Sequence, residues 1–240
     1  MSSIPKKPEQ VYPMIPLDPE KLGDKIDFDL IFGRPGSIHV EIGSGKGSFL
    51  LSQASQNPHI NYIGIEWARK YYRFCIDRFG RRELQNVRMI RADASVFVSR
   101  MIPDSSISCF HIYFPDPWPK TRHHKRRFLS EGNIPFLHRC LVPNGTIRFV
   151  TDDAKYFDSS RVLFRTNSCC WDVVDFSPLP GTPFGEFVGT NYERKYRQEG
   201  RPVFAMEIRK RAWIGIHEYS PRRVLLNPSL ESSDKIFRQS

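Results

Sequence analysis

Long apolar runs and paired cysteine motifs are both missing from this 240-residue sequence. No stretch approaches the roughly eighteen uninterrupted apolar residues of a membrane span, and residues 1–19 lack the apolar core of a signal peptide. These absences predict a soluble, cytoplasmic protein with no membrane partner. The five cysteines are an odd number without Cys-x-x-Cys spacing, so we expect reduced thiols, no disulfide and no bound metal.

Acidic residues are outnumbered by basic ones. The chain has 36 lysines and arginines against 26 aspartates and glutamates, which gives a formal net charge of +10. Such an excess favours a polyanionic partner, although charge alone does not separate nucleic acid from an anionic membrane surface.

Hydrophobic patterning from residue 37 onwards predicts the fold. Apolar, β-rich stretches at 37–42, 60–66, 86–91, 107–114 and 145–151 alternate with helical patterns at 46–56, 68–79, 94–101, 128–141 and 154–167, and two further strands follow at 171–176 and 203–211. This alternation predicts one α/β domain with a mostly parallel, seven-stranded sheet covered by helices on both faces.

The regions outside this pattern complete the predicted organisation. Residues 1–36 carry six prolines and little periodicity, so we expect an irregular N-terminal arm. The main domain then spans 37–213, and 214–240 form a C-terminal extension. Within the domain, the connection at 177–202 has 26 residues. Loops of this length in compact domains are usually functional or disordered, and we expect this one to have a functional role.

The first predicted strand ends in a glycine-rich turn, Glu-Ile-Gly-Ser-Gly-Lys-Gly, that begins at Glu41. A ligand can lie against main-chain N–H groups at Gly43 and Gly45, where no Cβ intervenes. Glu66 closes the second strand and suits the two hydroxyls of a ribose, and Asp93, after the third strand, suits an adenine edge. The pattern predicts an adenosine-containing ligand, and the charge of Glu41 favours the cation S-adenosylmethionine over a pyrophosphate. Alternatively, Glu41 binds the amides of its own turn.

A second informative segment runs from Phe114 to Arg127. It reads Phe-Pro-Asp-Pro-Trp-Pro-Lys-Thr-Arg-His-His-Lys-Arg-Arg, and its prolines prevent it from extending a strand or starting a helix. Asp116 and Trp118 therefore lie on a stiff loop at the carboxyl end of the fourth strand, where open α/β sheets bind ligands. The alternative is a proline-rich surface turn followed by a solvated charge run.

Together these motifs resemble those of the bacterial tRNA (guanine-N7)-methyltransferases, S-adenosylmethionine-dependent enzymes with the Rossmann-like class I fold. The resemblance spans about residues 40–211 and also rests on Gly-Ile-Glu at 64–66, Thr-Asp at 151–152 and Thr-Asn-Tyr-Glu at 190–193. It implies methylation of guanine N7 in tRNA, with position 46 of the variable loop as the usual target. Pro119 departs from the family's pattern, in which many members have His, and the tail beyond 213 is longer than expected.

The resemblance also implies roles for individual residues. Cofactor contacts are implied for Glu41, Glu66, Asp93 and Asp116, substrate contacts for Lys120, Asp152, Thr190, Asn191, Tyr192 and Glu193, and RNA contacts for Arg122, His123, His124, Lys125, Arg126 and Arg127. The two histidines have no acidic or thiol partner at metal-ligand spacing, so we interpret them as donors to RNA. Two further basic groups, at 69–82 and 194–201, are either RNA contacts or ordinary solvated surface.

The chemistry of the implied reaction favours Asp116 as the central catalytic residue. Guanine N7 carries an in-plane lone pair and no proton, so its methylation depends on placement rather than on a general base. A carboxylate can accept from the N1–H and N2–H groups of guanine and offset the charge that develops on the ring. Asp152 also ends a strand, and the sequence leaves open which carboxylate holds which edge. Trp118 either stacks on an unstacked base or caps the core.

Two other classes of function fit parts of the sequence. A non-catalytic RNA-binding protein on a methyltransferase scaffold would tolerate damage to the glycine turn or its acids, yet both are intact. A small-molecule methyltransferase would need an apolar lid, whereas this chain has basic clusters. The oligomeric state, monomer or homodimer, stays open.

Overall fold

The computed structural model describes residues 7–182 and 185–211. The described helices are α1 (Pro8–Val11), α2 (Phe28–Phe32), α3 (Ser48–Gln56), α4 (Arg69–Gly80), α5 (Ala94–Arg100), α6 (Ile134–Cys140), α7 (Ala154–Thr166) and α8 (Asn191–Gln198), with 3₁₀ turns at Pro19–Lys21 and Thr121–Arg126. The described strands are β1 (Pro16–Leu17), β2 (Ile38–Ile42), β3 (Asn61–Ile65), β4 (Val87–Ile90), β5 (Ile107–Tyr113), β6 (Leu141–Thr151), β7 (Trp171–Val174) and β8 (Phe204–Lys210). Across these two ranges, no helix has both the length and the apolar character needed to cross a bilayer.

The described strands form one sheet in the order β1-β4-β3-β2-β5-β6-β8-β7. Neighbours from β1 to β6 are parallel, whereas β8 runs antiparallel to both β6 and β7. The mostly parallel α/β sheet expected from the sequence is confirmed, with eight described strands where we expected seven.

The additional strand comes from the N-terminal segment. β1 pairs with the outer edge of β4, where the Met89 N–H donates to the Ile15 carbonyl at 2.8 Å. Ile15 and Ile26 are buried in the core. Residues 7–36 thus contain two short helices, a 3₁₀ turn and a two-residue strand, and the division of the chain into an arm, a domain and an extension stays a prediction. Their helices and strand are too short to show a periodic pattern in the sequence.

Helices cover both faces of the sheet. On one face, α3 and α4 bury Phe49, Leu50 and Ile76. On the other face, α5, α6 and α7 bury a second apolar cluster that includes Phe97 and Phe164. The parallel strands between them are largely buried on both sides, which explains why they read as mostly apolar runs, with His39, Glu41 and His111 as polar exceptions.

Two predicted elements differ in length from the observed ones. The helix expected at 128–141 is only α6, and Pro135 marks its first turn, where a missing N–H costs little. The strand expected at 145–151 begins already at Leu141. The connection at 177–202 contains α8, which its glycines and prolines concealed.

The chain order creates a crevice at the centre of the sheet. From β2 the chain moves through β3 and β4 on one side, and it then crosses to β5 on the other side of β2. Glu41 pairs with His111 and Ile42 with Ile112, so the segments that follow β2 and β5 emerge side by side. Such a switch point is where open α/β sheets bind their ligands.

Candidate active site

The glycine turn after β2 adopts a left-handed backbone that glycine tolerates best. The φ angles of Gly43, Gly45 and Gly47 are +76°, +52° and +66°. A Cβ at Gly43 or Gly45 would have no described heavy atom within 4 Å, whereas one at Gly47 would lie 2.6 Å from the Phe79 ring. Gly43 and Gly45 therefore leave open main chain for a ligand, and Gly47 lets the turn pack on α4.

Glu66 fixes the shape of this turn. Its Oε2 accepts from the Gly45 N–H at 2.8 Å, and its Oε1 accepts from the Ala68 N–H at 2.7 Å. The side chain is buried. Because each carboxylate oxygen has a second lone pair, the ribose contact predicted for Glu66 stays compatible with these bonds.

Glu41 presents an unsatisfied carboxylate oxygen beside the turn. The residue is 4% exposed, and neither its Oε2 nor the Ser44 Oγ has a hydrogen-bond partner among the described residues. Burial raises the pKa of Glu41 to about 8; the Ser44 hydroxyl, which is close but makes no hydrogen bond of good geometry, opposes this shift, and the charge of Glu66 adds to it. A buried polar atom without a partner is costly, and a cationic or donor ligand would remove that cost. The residues present therefore fit the ammonium group of S-adenosylmethionine.

Asp116 is exposed on a loop with strained backbone at two positions. Phe114 and Trp118 have φ angles of +49° and +44°, and such conformations cost about 1–3 kcal/mol each in non-glycine residues. One end of the loop is tied to the sheet, because the Phe114 N–H donates to the Val150 carbonyl at 2.7 Å. The loop thus holds a fixed shape beside the glycine turn.

Arg127 ties down the other end of the loop. Its Nε donates to the Pro117 carbonyl at 2.8 Å, a second guanidinium nitrogen donates to Ser159 Oγ at 3.0 Å, and the guanidinium lies 4.7 Å from the Tyr156 ring centroid. Arg127 is 5% exposed. This structural role differs from the RNA contact that the resemblance implies for it.

Trp118 and basic residues that follow it share a cavity with Asp93. The Arg126 guanidinium lies 4.8 Å from the Trp118 ring centroid, and His123 meets the ring edge-on at 5.9 Å. Trp118 lines a cavity of about 570 Å³ together with Asp93, Lys125 and Arg126. Trp118 is half-buried, so its ring neither fills the core nor lies free in solvent. Lys120 and Arg122 are exposed in the same segment, and His124 is half-buried.

The Thr-Asn-Tyr-Glu motif begins α8 with a capping interaction. Thr190 Oγ1 accepts from the Glu193 N–H at 3.1 Å. Glu193 is fully buried, its carboxylate accepts from the main-chain N–H groups of residues 187–189 at 2.6–3.0 Å, and it pairs with Arg197 at 3.1 Å. Glu193 therefore organises the preceding loop, which differs from the substrate contact implied for it. The Thr-x-x-Glu spacing is typical of a helix start, and this spacing could have indicated the capping role from the sequence.

The exposed residues of α8 reach the proline loop. The ring centroid of Phe114 lies 6.3 Å from that of Tyr192 and 5.5 Å from that of Tyr196. Asn191 Nδ2 donates to Ser48 Oγ at 3.0 Å, at the start of α3. The motif thus lies beside both the glycine turn and the loop of Asp116.

Asp152 has a partner that the sequence did not reveal. Its Oδ2 accepts from an Arg201 guanidinium nitrogen at 3.3 Å, and Arg201 also lies 4.7 Å from the Tyr196 ring centroid. Asp116 and Asp152 were both considered for guanine, and Asp152 is already paired with Arg201.

Comparisons with known proteins agree with this geometry. A family model described as "Putative methyltransferase" matches residues 35–206. The chain is 36% identical over 208 residues to the tRNA (guanine-N(7)-)-methyltransferase of Rhodopirellula baltica, covering 81% of this chain and 73% of that protein. A protein of the same name from Streptococcus thermophilus is 33% identical over 191 residues, with 80% and 88% covered. The chain belongs to the tRNA (guanine-N(7)-)-methyltransferase family.

Solved structures place this family member in the expected fold class. The 16S rRNA methyltransferase KamB superposes with a TM-score of 0.57 at 14% identity, covering 78% of this chain and 93% of that one. The 16S rRNA (adenine(1408)-N(1))-methyltransferase of Catenulisporales acidiphilia, solved with its cosubstrate SAM, gives 0.55 at 14% identity, covering 84% and 95%. At these identities the likeness concerns the fold alone, and the Rossmann-like class I fold is confirmed.

A buried polar cluster lies beneath α3 in this family member. His39 Nδ1 is 3.1 Å from His111 Nε2, and His111 Nδ1 is 2.7 Å from the Tyr113 hydroxyl. With Cys109, the two histidines are the only group of metal-ligand composition among the described residues. Burial lowers the pKa of His39 to about 4 and also holds the pKa of His111 well below its ordinary value, which favours a hydrogen bond between the two rings. The absence of a metal stays a prediction.

Proposed function

We propose that this protein transfers a methyl group from S-adenosylmethionine to guanine N7 in tRNA, with position 46 of the variable loop as the target. The observation that carries the proposal is the position of Asp116. Its rigid loop follows β5 and lies beside the glycine turn that follows β2, where Glu41 has a free carboxylate oxygen. A cofactor site and a base-binding carboxylate thus share one crevice, as methyl transfer requires.

The cofactor-binding residues follow from the chemistry of each group. Glu41 is placed for the cofactor's ammonium group, Glu66 for its ribose hydroxyls and Asp93 for its adenine, while Gly43 and Gly45 offer open main chain. When bound, S-adenosylmethionine supplies an electrophilic methyl group on a positively charged sulfur. The acidic side chains around the turn suit that charge better than they would suit a phosphate.

Asp116 is the carboxylate that we assign to guanine. No hydrogen bond or ion pair occupies its side chain in the part of the chain described, whereas Asp152 is paired with Arg201. Asp116 can therefore accept from the N1–H and N2–H groups, hold N7 towards the methyl group and offset the charge that the ring acquires. Because N7 carries no proton, this step needs no general base. Asp152 and Arg201 then form the adjoining wall.

Basic residues beyond Trp118 are placed for the tRNA backbone. Arg122, Lys125 and Arg126 are exposed directly after the loop of Asp116, and the chain as a whole carries a net charge of +10. Trp118 supplies a half-buried aromatic surface against which an unstacked base can pack. A tRNA substrate also supports the cytoplasmic location predicted from the sequence.

The experiment is methyl transfer from radiolabelled S-adenosylmethionine to unmodified tRNA, followed by mapping of the modified base. We expect N7-methylguanine at one site in the variable loop, and no incorporation when that guanine is replaced by adenine. Asp116→Asn keeps the side-chain size, removes the charge and should abolish most of the rate. Asp24→Asn is the matched control, because Asp24 is exposed near the contact of Ile26 with the end of α5.

Three outcomes would contradict the proposal. Methylation at another base or atom would refute the assigned product. Full activity of Asp116→Asn would refute the role of that carboxylate. Binding of tRNA without any incorporation would instead favour a non-catalytic RNA-binding protein.

A further inference from the structure

A polar groove runs along the exposed side of α3. Its floor carries Ser48, Ser52 and Ser55, whose spacing of three and four residues places them in one stripe of the helix. Arg78 and Arg82 at the end of α4 form one wall, and Arg194 of α8 contributes to the other. The groove has a volume of about 320 Å³, and none of its ten lining residues is acidic.

The three arginines differ in how tightly they are held. Arg78 is fixed, because one guanidinium nitrogen donates to the Lys46 carbonyl at 2.8 Å and to Ser48 Oγ at 3.0 Å. Arg194 pairs with Glu186 at 3.3 Å, and its side chain is 45% exposed. Arg82 is exposed and has no ion pair within the described ranges. Three arginines line the groove beside serine hydroxyls, and only Arg194 among them is paired with a carboxylate in the described residues, so the groove suits an anion.

The groove lies on the opposite face of the sheet from the basic residues that follow Trp118. It is built from α3, α4 and α8, whereas the cavity of Trp118 is lined by Asp93 and Asn133, at the starts of α5 and α6. The groove reaches the loop of Asp116, because Asn191 donates to Ser48 in the groove and its neighbour Tyr192 packs near Phe114. The cavity reaches the same loop through Trp118. Two positive surfaces therefore flank Asp116.

We propose that this groove binds backbone phosphates of the tRNA substrate, with Arg82 and Arg194 as its main contacts. The proposal deepens the proposed function and rests on it. Arginine suits this task because its planar guanidinium donates two parallel hydrogen bonds to a phosphate. A strand that presents one guanine to Asp116 would then be held on both sides of that base, by this groove and by Arg122, Lys125 and Arg126.

The test is the affinity of the double variant Arg82→Ala/Arg194→Ala for tRNA, measured over a series of salt concentrations. Each lost phosphate contact should flatten the plot of log affinity against log salt by roughly 0.7–0.9, which weakens binding roughly four- to five-fold per contact at 0.15 M salt. The matched control is Arg100→Ala/Arg165→Ala, which removes two exposed arginines from the ends of α5 and α7 on the opposite face. Arg82→Lys/Arg194→Lys should retain most of the salt dependence.

Affinity for S-adenosylmethionine, measured in parallel, reports whether each variant is folded. A groove variant that binds the cofactor normally and tRNA with the wild-type slope would overturn this inference. Equal losses in the groove and control variants would also overturn it, because they would reflect net charge rather than a site. If wild-type protein transfers no methyl group to tRNA, the proposed function fails, and the comparison of slopes still decides whether the groove binds RNA.

Discussion

Replacing Glu41 with glutamine should stabilise the fold and weaken cofactor binding at the same time. Glu41 is almost fully buried beside the glycine turn, and its Oε2 has no partner in the described structure. Glutamine has nearly the same shape and carries no charge. The substitution therefore removes the cost of ionising a buried carboxyl group, and with it the negative charge that attracts the cofactor's ammonium group.

The pH dependence of stability gives the magnitude. The pKa of Glu41 is raised from 4.5 to about 8 in the folded protein. Between these values the folded state holds a proton that the unfolded chain releases, so rising pH favours unfolding by about 1.4 kcal/mol per pH unit. Glutamine has no such dependence. The advantage of Glu41→Gln in free energy of unfolding should thus grow by roughly 2–3 kcal/mol between pH 5.5 and pH 7.5.

Urea denaturation of both proteins at these two pH values measures this change. The difference in free energy of unfolding between wild type and Glu41→Gln is compared at the two pH values, so any constant effect of the glutamine amide cancels. Glu131→Gln is the control, because it makes the same substitution at an exposed position. If the gap between wild type and Glu41→Gln is the same at both pH values, the buried carboxyl ionises normally and the reasoning is refuted.

Cofactor titrations complete the test. A hydrogen bond between charged groups contributes about 1.5–3 kcal/mol, so Glu41→Gln should bind S-adenosylmethionine roughly ten- to a hundred-fold more weakly. Wild-type affinity should rise with pH towards about 8 as the carboxylate forms, whereas the variant should show a flatter profile.

Four further substitutions test other parts of the site. Glu193→Gln removes a fully buried charge that accepts hydrogen bonds from the loop before α8, and should lower the free energy of unfolding by about 1.5–3 kcal/mol in urea. Arg127→Ala releases the proline loop and should lower kcat without changing the salt dependence of tRNA binding, whereas Lys125→Ala should flatten that dependence by roughly 0.7–0.9. Gly47→Ala places a methyl group 2.6 Å from Phe79, and overpacking of this kind costs about 1–3 kcal/mol in thermal or urea unfolding.

Each of these expectations has a contrary outcome. Gly132→Ala is the control for the glycine turn, since a methyl group there has no described atom within 4 Å, and equal losses at both glycines would contradict the packing argument. A stable Glu193→Gln protein that fails only in catalysis would restore a substrate-contacting role to this residue. A lower salt dependence of tRNA binding for Arg127→Ala would show that Arg127 contacts RNA, as the resemblance implies.

The parts of the fold that sequence could predict are those governed by local pattern. The strands at the centre of the sheet are buried on both faces and mostly apolar, so β2, β3 and β5 are visible as largely apolar runs between glycine or proline breaks. The position of the candidate site at the carboxyl ends of the strands followed from the rule that open α/β sheets bind their ligands there, whereas the strand order that forms the crevice came from the structure. The N-terminal elements could not be predicted, because a two-residue strand has no period and is stabilised by its contacts with β4.

Within the candidate site, local motifs suggested residues but could not reveal their partners. Arg201 and Asp152 are 49 residues apart in sequence, and Asn191 and Ser48 are 143 residues apart. No local pattern encodes contacts over such separations. Nor does composition show which member of a basic cluster turns inward, and Arg127 is buried while its neighbour Arg126 is exposed.

The two-residue strand β1 has a consequence for the behaviour of shortened forms of the protein. β4 would otherwise present an open row of main-chain donors and acceptors at the margin of the sheet, and such a row can recruit a strand from another molecule. Pairing with Ile15 and its neighbours occupies part of this row. The N-terminal segment therefore covers part of an edge that could otherwise pair with another molecule, and we expect proteolysis or truncation before α2 to expose that edge and to favour self-association.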